Sequence, residues 1–125
     1  MWKVLKNGIL TLRKLKIFGI IQCDTCSLCG SDVEIVAHLF FECDFTFHIW
    51  NLILHHYGYH RPTRNSLMEW YNIFKATRWK NERGRLMLRI LKKVLYFIWM
   101  ERNDRVFKGQ SSSKHVLVLS ITRSM

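Results

Sequence analysis

Three of the four cysteines and one histidine fall within residues 26–43, in the order Cys26-x2-Cys29-x8-His38-x4-Cys43. Two cysteines separated by two residues form a tight turn that brings both sulfur atoms to the same side of the backbone. A histidine and a cysteine that follow after a short loop can complete a tetrahedral set of sulfur and nitrogen ligands, which suits zinc. The spacing therefore predicts one structural zinc ion held by three cysteines and one histidine.

Spacing alone leaves several alternatives open for this cluster. Cys23-x2-Cys26 is a second Cys-x-x-Cys pair, and either pair can supply two ligands. Asp24 or His48 can replace one ligand. A reduced chain with free thiols and a core histidine also fits the composition. A disulfide framework is disfavoured, because no secretory signal is present and the cysteines form one cluster.

The residues around the cluster predict two short helices. Ser31-x-x-Glu34 matches a capping box, which predicts that a helix carrying His38 begins there. Its apolar side would be formed by Val33, Val36, Ala37, Phe40 and Phe41. Asp44 is placed to cap a second helix over residues 44–57, which Gly58 ends.

The motif resembles a known family. Asp24-Thr-Cys26-x-Leu-Cys29, then Glu34-x3-His38-Leu-Phe-Phe-x-Cys43, then Ile49-Trp50 resemble the reverse-transcriptase zinc-binding domain of plant LINE-type (non-LTR) retrotransposon polyproteins. Residues 8–20 resemble the lead-in of that family. The segment Tyr96-Phe-Ile-Trp-x-Glu101-Arg-Asn103-x-Arg-x-Phe107 resembles the segment that commonly trails the domain.

This resemblance assigns the metal ligands as Cys26, Cys29, His38 and Cys43, with Cys23 at a position that the family pattern does not require. It implies a structural zinc module of retroelement origin. The domain usually begins further upstream in the family, so the resemblance also implies that this chain is truncated at its N-terminus.

The net charge of +11 is unevenly distributed along the chain. Residues 1–16 carry a net charge of +5 and residues 61–125 carry +11, whereas residues 17–60, which contain the cysteine cluster, carry −5. The expected partner is RNA or DNA, attracted by the two basic flanks rather than by the cysteine cluster itself.

The clearest amphipathic helix is predicted over residues 81–105. Its apolar stripe consists of Met87, Leu91, Val94, Leu95 and Ile98, and the opposite face carries Arg85, Arg89, Lys92 and Lys93. Four cations on one face are typical of a surface that binds phosphates without sequence preference, although a simply solvated face fits equally well. Arg102, Arg105 and Lys108 are expected to extend this positive patch.

These patterns predict a mainly α fold: a small zinc-stabilised helical domain with a long basic amphipathic helix. A zinc-binding domain is expected over residues 1–60 and a basic helical extension over residues 61–125. Further helices are predicted over residues 2–18, which Gly19 ends, and after the capping box Ser66-x-x-Glu69, whereas residues 115–121 form a short helix or a strand. No apolar run approaches the roughly 20 residues that cross a bilayer.

The predicted function is that of a non-enzyme. The sequence has no carboxylate cluster for catalytic magnesium and no nucleophile elbow, and a zinc ion with four protein ligands lacks an open position for a substrate. A second metal site at His48, His55, His56 and His60 is disfavoured, because Gly58 interrupts the helix.

Two hypotheses remain. The first is a zinc module, without a small-molecule substrate, that binds nucleic acid non-specifically inside the cell, in the nucleus rather than an organelle. The second is a zinc-organised protein-interaction module or an inert retroelement remnant.

Overall fold

A computed structural model describes residues 11–58 and 82–125, and this described part is mainly helical, which confirms the predicted fold class. Its α-helices are α1 (Leu12–Ile17), α2 (Asp44–His56), α3 (Glu82–Asn103) and α4 (Lys114–Ser124). Two π-helical turns accompany them: the ligand π turn (His38–Glu42) and the C-terminal π turn (Asp104–Lys108). The described residues contain no strand, only an isolated antiparallel bridge between Thr25 and Val33.

Helix α1 is short because both of its ends are capped locally. The Thr11 hydroxyl accepts a hydrogen bond from the backbone N–H of Lys14 at 3.3 Å, which satisfies one of the free amides of the first turn. Gly19 adopts a positive φ of 78°, and the helix ends just before it, as predicted. Residues 2–10 of the predicted helix, and the helix predicted after Ser66, lie outside the described residues.

The predicted capping box is wrong. Ser31 does not cap a helix; its hydroxyl donates to the carbonyl of Cys29 at 3.3 Å. Glu34 is not helical and is fully buried, and the helical backbone begins only at Val36. The prediction failed because the bridge between Thr25 and Val33 holds this segment extended until Glu34 has entered the core.

Helix α3 confirms the predicted amphipathic pattern. Its five predicted apolar positions are all buried, namely Met87, Leu91, Val94, Leu95 and Ile98. Helix α2 packs against α3 and α4, and the ligand π turn packs against both α2 and α3. One hydrophobic core therefore contains residues of the cysteine-rich segment together with residues of α3 and α4.

The chain reverses after α3 through the C-terminal π turn, which ends at Gly109 with a φ of 65°. Residues 114–124 then form α4, so the tail is a helix rather than a strand. Ser113 caps it by accepting a hydrogen bond from the amide of Val116, and Leu117 and Ile121 are buried in the core.

The predicted domain division at residue 60 falls within residues 59–81, outside the described part of the chain, and stays a prediction. Among the described helices, none is both long enough and apolar enough to cross a membrane.

Candidate metal centre

The first ligand pair lies in a knuckle formed by residues 26–30. The backbone N–H of Gly30 donates to the carbonyl of Cys26 at 2.8 Å, and Gly30 adopts a φ of 70°, which favours glycine. The N–H of Cys26 donates to the carbonyl of Asp32 at 2.7 Å, which fixes the start of the knuckle beside the Thr25–Val33 bridge. The backbone N–H groups of Cys29 and Leu28 donate to the Cys26 sulfur, where they favour a thiolate.

The second ligand pair depends on the ligand π turn. In an α-helix, residues five positions apart point about 140° away from each other, because each residue turns by about 100°. Here the backbone N–H of Cys43 donates to the carbonyl of His38 at 2.7 Å, an i→i+5 bond that stacks the two residues on one side. The π turn thus converts the His-x4-Cys spacing into two ligands on one face.

Two side chains from α2 complete the hydrogen bonding of this π turn. The Thr46 hydroxyl donates to the carbonyl of Leu39 at 2.7 Å, and the indole N–H of Trp50 donates to the carbonyl of Phe40 at 2.8 Å. Both bonds are buried, and they satisfy carbonyls near the C-terminal end of a short helical segment. The Trp50 of the sequence motif therefore supports the shape of the π turn that carries His38.

The structure brings the four ligands together. Their ligand atoms all lie within 4.8 Å of one another. The sulfurs of Cys26 and Cys43 are 3.9 Å apart, and the Cys29 sulfur is 3.3 Å from Nε2 of His38. With zinc–sulfur bonds of about 2.3 Å, two sulfur ligands of a tetrahedron lie about 3.8 Å apart, so this set fits one zinc ion.

The chemistry of the donors agrees with the geometry. The pKa of the Cys43 thiol is lowered to about 5, first because the Cys26 thiol donates to its sulfur and further because the backbone amides of Thr46 and Phe45 lie nearby. The same pairing raises the pKa of the Cys26 thiol. The thiol hydrogen bond between these two sulfurs occupies the place that a bound metal would take, since metal binding requires both cysteines as thiolates.

Cys23 lies outside the cluster. It is exposed, and its thiol donates to the Thr25 hydroxyl at 3.4 Å. The hydroxyl and the backbone N–H of Thr25 can both donate to the thiolate form of Cys23, and this lowers the pKa of the Cys23 thiol. The only potential metal-binding group among the described residues consists of Cys26, Cys29, His38 and Cys43, and it includes neither Asp24 nor His48.

The histidines of α2 are engaged elsewhere or solvated. Nδ1 of His48 lies 3.2 Å from Nζ of Lys114 on α4. The rings of His56 and Tyr57 meet edge to face, 4.9 Å apart, and His55 is exposed. His60 lies outside the described residues.

A buried ion pair fixes the metal centre to α3, and the sequence reasoning missed it. Arg102 donates through Nε to both carboxylate oxygens of Glu34, at 3.1 and 3.2 Å, and its terminal nitrogen lies 2.9 Å from Oε1. Oε1 also accepts the backbone N–H of Leu12 at 2.8 Å, so Glu34 binds α1 and α3 at once.

Arg105 makes a second link between α3 and the metal centre, through the backbone of the knuckle. Its guanidinium pairs with Glu101 at 2.7 Å and donates to the carbonyls of Ser27 and Leu28. Arg102 and Arg105 therefore do not extend a positive surface patch, contrary to expectation. The sequence signal was present, because Glu34, Glu101, Arg102 and Arg105 all belong to the motifs that resemble the family.

The four predicted nucleic-acid contacts lie along α3. Arg85, Arg89 and Lys92 are exposed and Lys93 is half-buried, whereas the apolar stripe faces the core. Tyr96, about half exposed, continues the same face one turn beyond Lys92.

Residues 1–50 match the zf-RVT family, described as zinc-binding in reverse transcriptase. The matched segment contains all four residues of the metal centre, which agrees with the geometry and with the resemblance seen in the sequence. The family is a zinc-binding accessory domain and is not by itself a catalytic domain. No curated protein and no solved structure matches the chain.

Proposed function

We propose, from the match of residues 1–50 to the reverse-transcriptase zinc-binding family, that this chain is a structural-zinc module that binds RNA or DNA non-specifically. The proposal includes an origin in a plant LINE-type retrotransposon polyprotein and a location inside the cell, in the nucleus. The observation that carries the binding function is the basic face of α3, which comprises Arg85, Arg89, Lys92 and Lys93.

The spacing of these cations suits a nucleic-acid backbone. Residues 85–93 extend about 12 Å along the helix axis, a distance over which one strand of a duplex presents several phosphates. The apolar stripe on the other side of α3 is buried, and Arg85, Arg89 and Lys92 on the basic face are exposed. Tyr96 adds an aromatic ring beside the cations, on which an unpaired base can stack.

The zinc centre has a structural role in this proposal. Its four protein ligands fill a tetrahedron, so zinc would contribute folding free energy and leave no position for a substrate. The acidic segment of residues 17–60 is a poor phosphate-binding surface. The metal centre therefore supports the fold, and α3 supplies the contacts.

The test is a binding titration of the zinc-loaded chain against fluorescein-labelled single-stranded RNA, single-stranded DNA and duplex DNA at several salt concentrations. Four phosphate contacts predict a slope of about −3 to −4 in a plot of log affinity against log salt. The double variant Arg89→Glu, Lys92→Glu is expected to reduce the magnitude of this slope by about 2 and to weaken binding.

The matched control is Arg13→Glu with Arg123→Glu, which changes the net charge equally at exposed positions of α1 and α4. If both double variants weaken binding equally, net charge rather than the α3 face is responsible. If the parent shows no salt-dependent binding, the nucleic-acid proposal fails. A zinc-organised protein-interaction module or an inert remnant would then take its place.

A further inference from the structure

The segment Glu101-Arg102-Asn103-Asp104-Arg105 lies far outside the family match, yet two of its side chains, those of Arg102 and Arg105, contact the metal-binding segment. Glu101 and Arg102 are buried, and Arg105 is half-buried. Long charged side chains are rarely buried unless they are paired. Their burial at the end of α3 therefore indicates that each of them has specific polar partners.

We propose that Arg105 is a positioning residue for the zinc knuckle, and that residues 101–112 form an integral part of the zinc module. One nitrogen of the Arg105 guanidinium donates to the carbonyls of Ser27 and Leu28, at 3.1 and 3.4 Å. These two carbonyls lie between the ligands Cys26 and Cys29.

The same two peptide groups contact both Arg105 and a metal ligand. The peptide between Ser27 and Leu28 offers its carbonyl to Arg105 and its N–H to the Cys26 sulfur. The peptide between Leu28 and Cys29 does likewise. Each peptide is thus aligned between a fixed positive charge and a sulfur that is negative when it binds metal. Hydrogen bonds arranged in series polarise one another, so Arg105 strengthens both N–H···S contacts.

The other donors of Arg105 hold the guanidinium in place. Its Nε donates to Glu101 at 2.7 Å, and its second terminal nitrogen donates to the carbonyl of Ser112 at 3.2 Å. The Glu101 carboxylate also accepts the backbone N–H of Ser112 at 2.9 Å, which closes the loop after the C-terminal π turn. The guanidinium lies over the ring of Phe45, 4.7 Å from its centroid, two residues after the ligand Cys43.

The electrostatics favour this arrangement. A zinc ion with three thiolates and a neutral imidazole carries a net charge of −1, and Arg105 places a cation beside the knuckle. Residues that orient metal ligands in this way typically change metal affinity by about ten- to a hundred-fold when they are replaced. The zinc affinity of residues 26–43 is therefore expected to depend on a side chain more than sixty positions away.

The experiment uses the full chain loaded with zinc or with Co²⁺, whose absorption reports on thiolate ligands. Zinc transfer to a chromogenic chelator gives the relative affinity. Arg105→Met is expected to weaken zinc binding about ten- to a hundred-fold and to shift the thiolate-to-cobalt band. Arg105→Lys, which keeps the charge but loses the planar fork, is expected to recover part of both effects.

Two controls separate positioning from general stability. Lys108→Met removes another cation of the C-terminal π turn, one that pairs with Asp104 at the surface. Ile121→Val destabilises the core from α4, and it is expected to leave the cobalt spectrum unchanged.

The proposal is overturned if Arg105→Met binds zinc within twofold of the parent, or if Ile121→Val shifts the cobalt band as much. If Arg105→Met fails to fold, Arg105→Lys decides: a parent-like affinity and spectrum reject the role of the guanidinium fork.

Discussion

Glu34 and Arg102 form a buried ion pair that joins the metal-binding segment to α3, and its removal is a sensitive test of that attachment. Glu34 is fully buried and Arg102 is 1% exposed. Besides Arg102, the Glu34 carboxylate accepts a hydrogen bond from the backbone N–H of Leu12. The variant Arg102→Met therefore leaves a buried carboxylate with little compensation, which is expected to cost about 3–5 kcal/mol in free energy of unfolding. Glu34→Leu is expected to lower the free energy of unfolding by a similar amount, because the buried Arg102 guanidinium then lacks its carboxylate partner.

The double variant Glu34→Leu, Arg102→Met is expected to be more stable than either single variant. It removes both charges, and buried ion pairs are often replaced by apolar side chains with little loss of stability. The double variant is still expected to lose about 1–3 kcal/mol relative to the parent, because the backbone amide of Leu12 loses its acceptor.

Urea denaturation followed by far-UV circular dichroism, with zinc in excess, measures these differences. Circular dichroism is preferable to tryptophan fluorescence, because the Arg102 guanidinium lies 4.6 Å from the centre of the Trp99 ring. The control Lys108→Met breaks the exposed pair with Asp104 and is expected to cost less than about 1 kcal/mol. Additive losses in the double variant, or single losses no larger than that of the control, would refute the reasoning.

Three further predictions concern the metal centre. With zinc bound, the Cys23 thiol is expected to react with iodoacetamide much faster than the other three thiols, as measured by mass spectrometry, and slow labelling of Cys23 would contradict its exposure. The variant Cys23→Ser is expected to keep its zinc, whereas Cys29→Ser is expected to lose it. Trp50→Phe, which removes the donor to the Phe40 carbonyl, is expected to lower the free energy of unfolding by about 1–3 kcal/mol in urea melts, and an unchanged midpoint would count against the bond. Gly30→Ala is expected to lower the free energy of unfolding by about 1–2 kcal/mol, because Gly30 has a φ of 70°, and Gly30→Asn is expected to lower it less. No neighbouring atom crowds the added carbon, so the loss would come from the backbone conformation. Equal stability of the parent and both variants in urea melts would contradict this.

Local patterns predicted much of the fold. The apolar stripe of α3 repeats with the period of a helix, so its burial followed from the spacing of residues such as Leu91 and Ile98. The ends of α1 and α2 followed from Gly19 and Gly58, which adopt positive φ angles. The capping box at Ser31 failed, because a short motif gives no information about the tertiary partner that draws Glu34 into the core.

Spacing alone could not decide which cysteines form the first ligand pair. Cys23-x2-Cys26 and Cys26-x2-Cys29 are equivalent by spacing, and only the resemblance to the family favoured the second pair. In the structure the Thr25–Val33 bridge places Cys23 before the turn and Cys29 within it, and Gly30 closes the knuckle.

The sequence by itself predicted the four candidate metal ligands, through family resemblance, and the helical class of the chain, because spacing and periodicity operate over a few neighbouring residues. Tertiary structure alone decided that a π turn aligns His38 with Cys43, and that Arg102 and Arg105 face the metal-binding segment rather than solvent. Glu34 and Arg102 are 68 positions apart, and the burial of such a charge is favourable only when its partner is already in place. That condition is met by the packed core, which no local stretch of sequence contains.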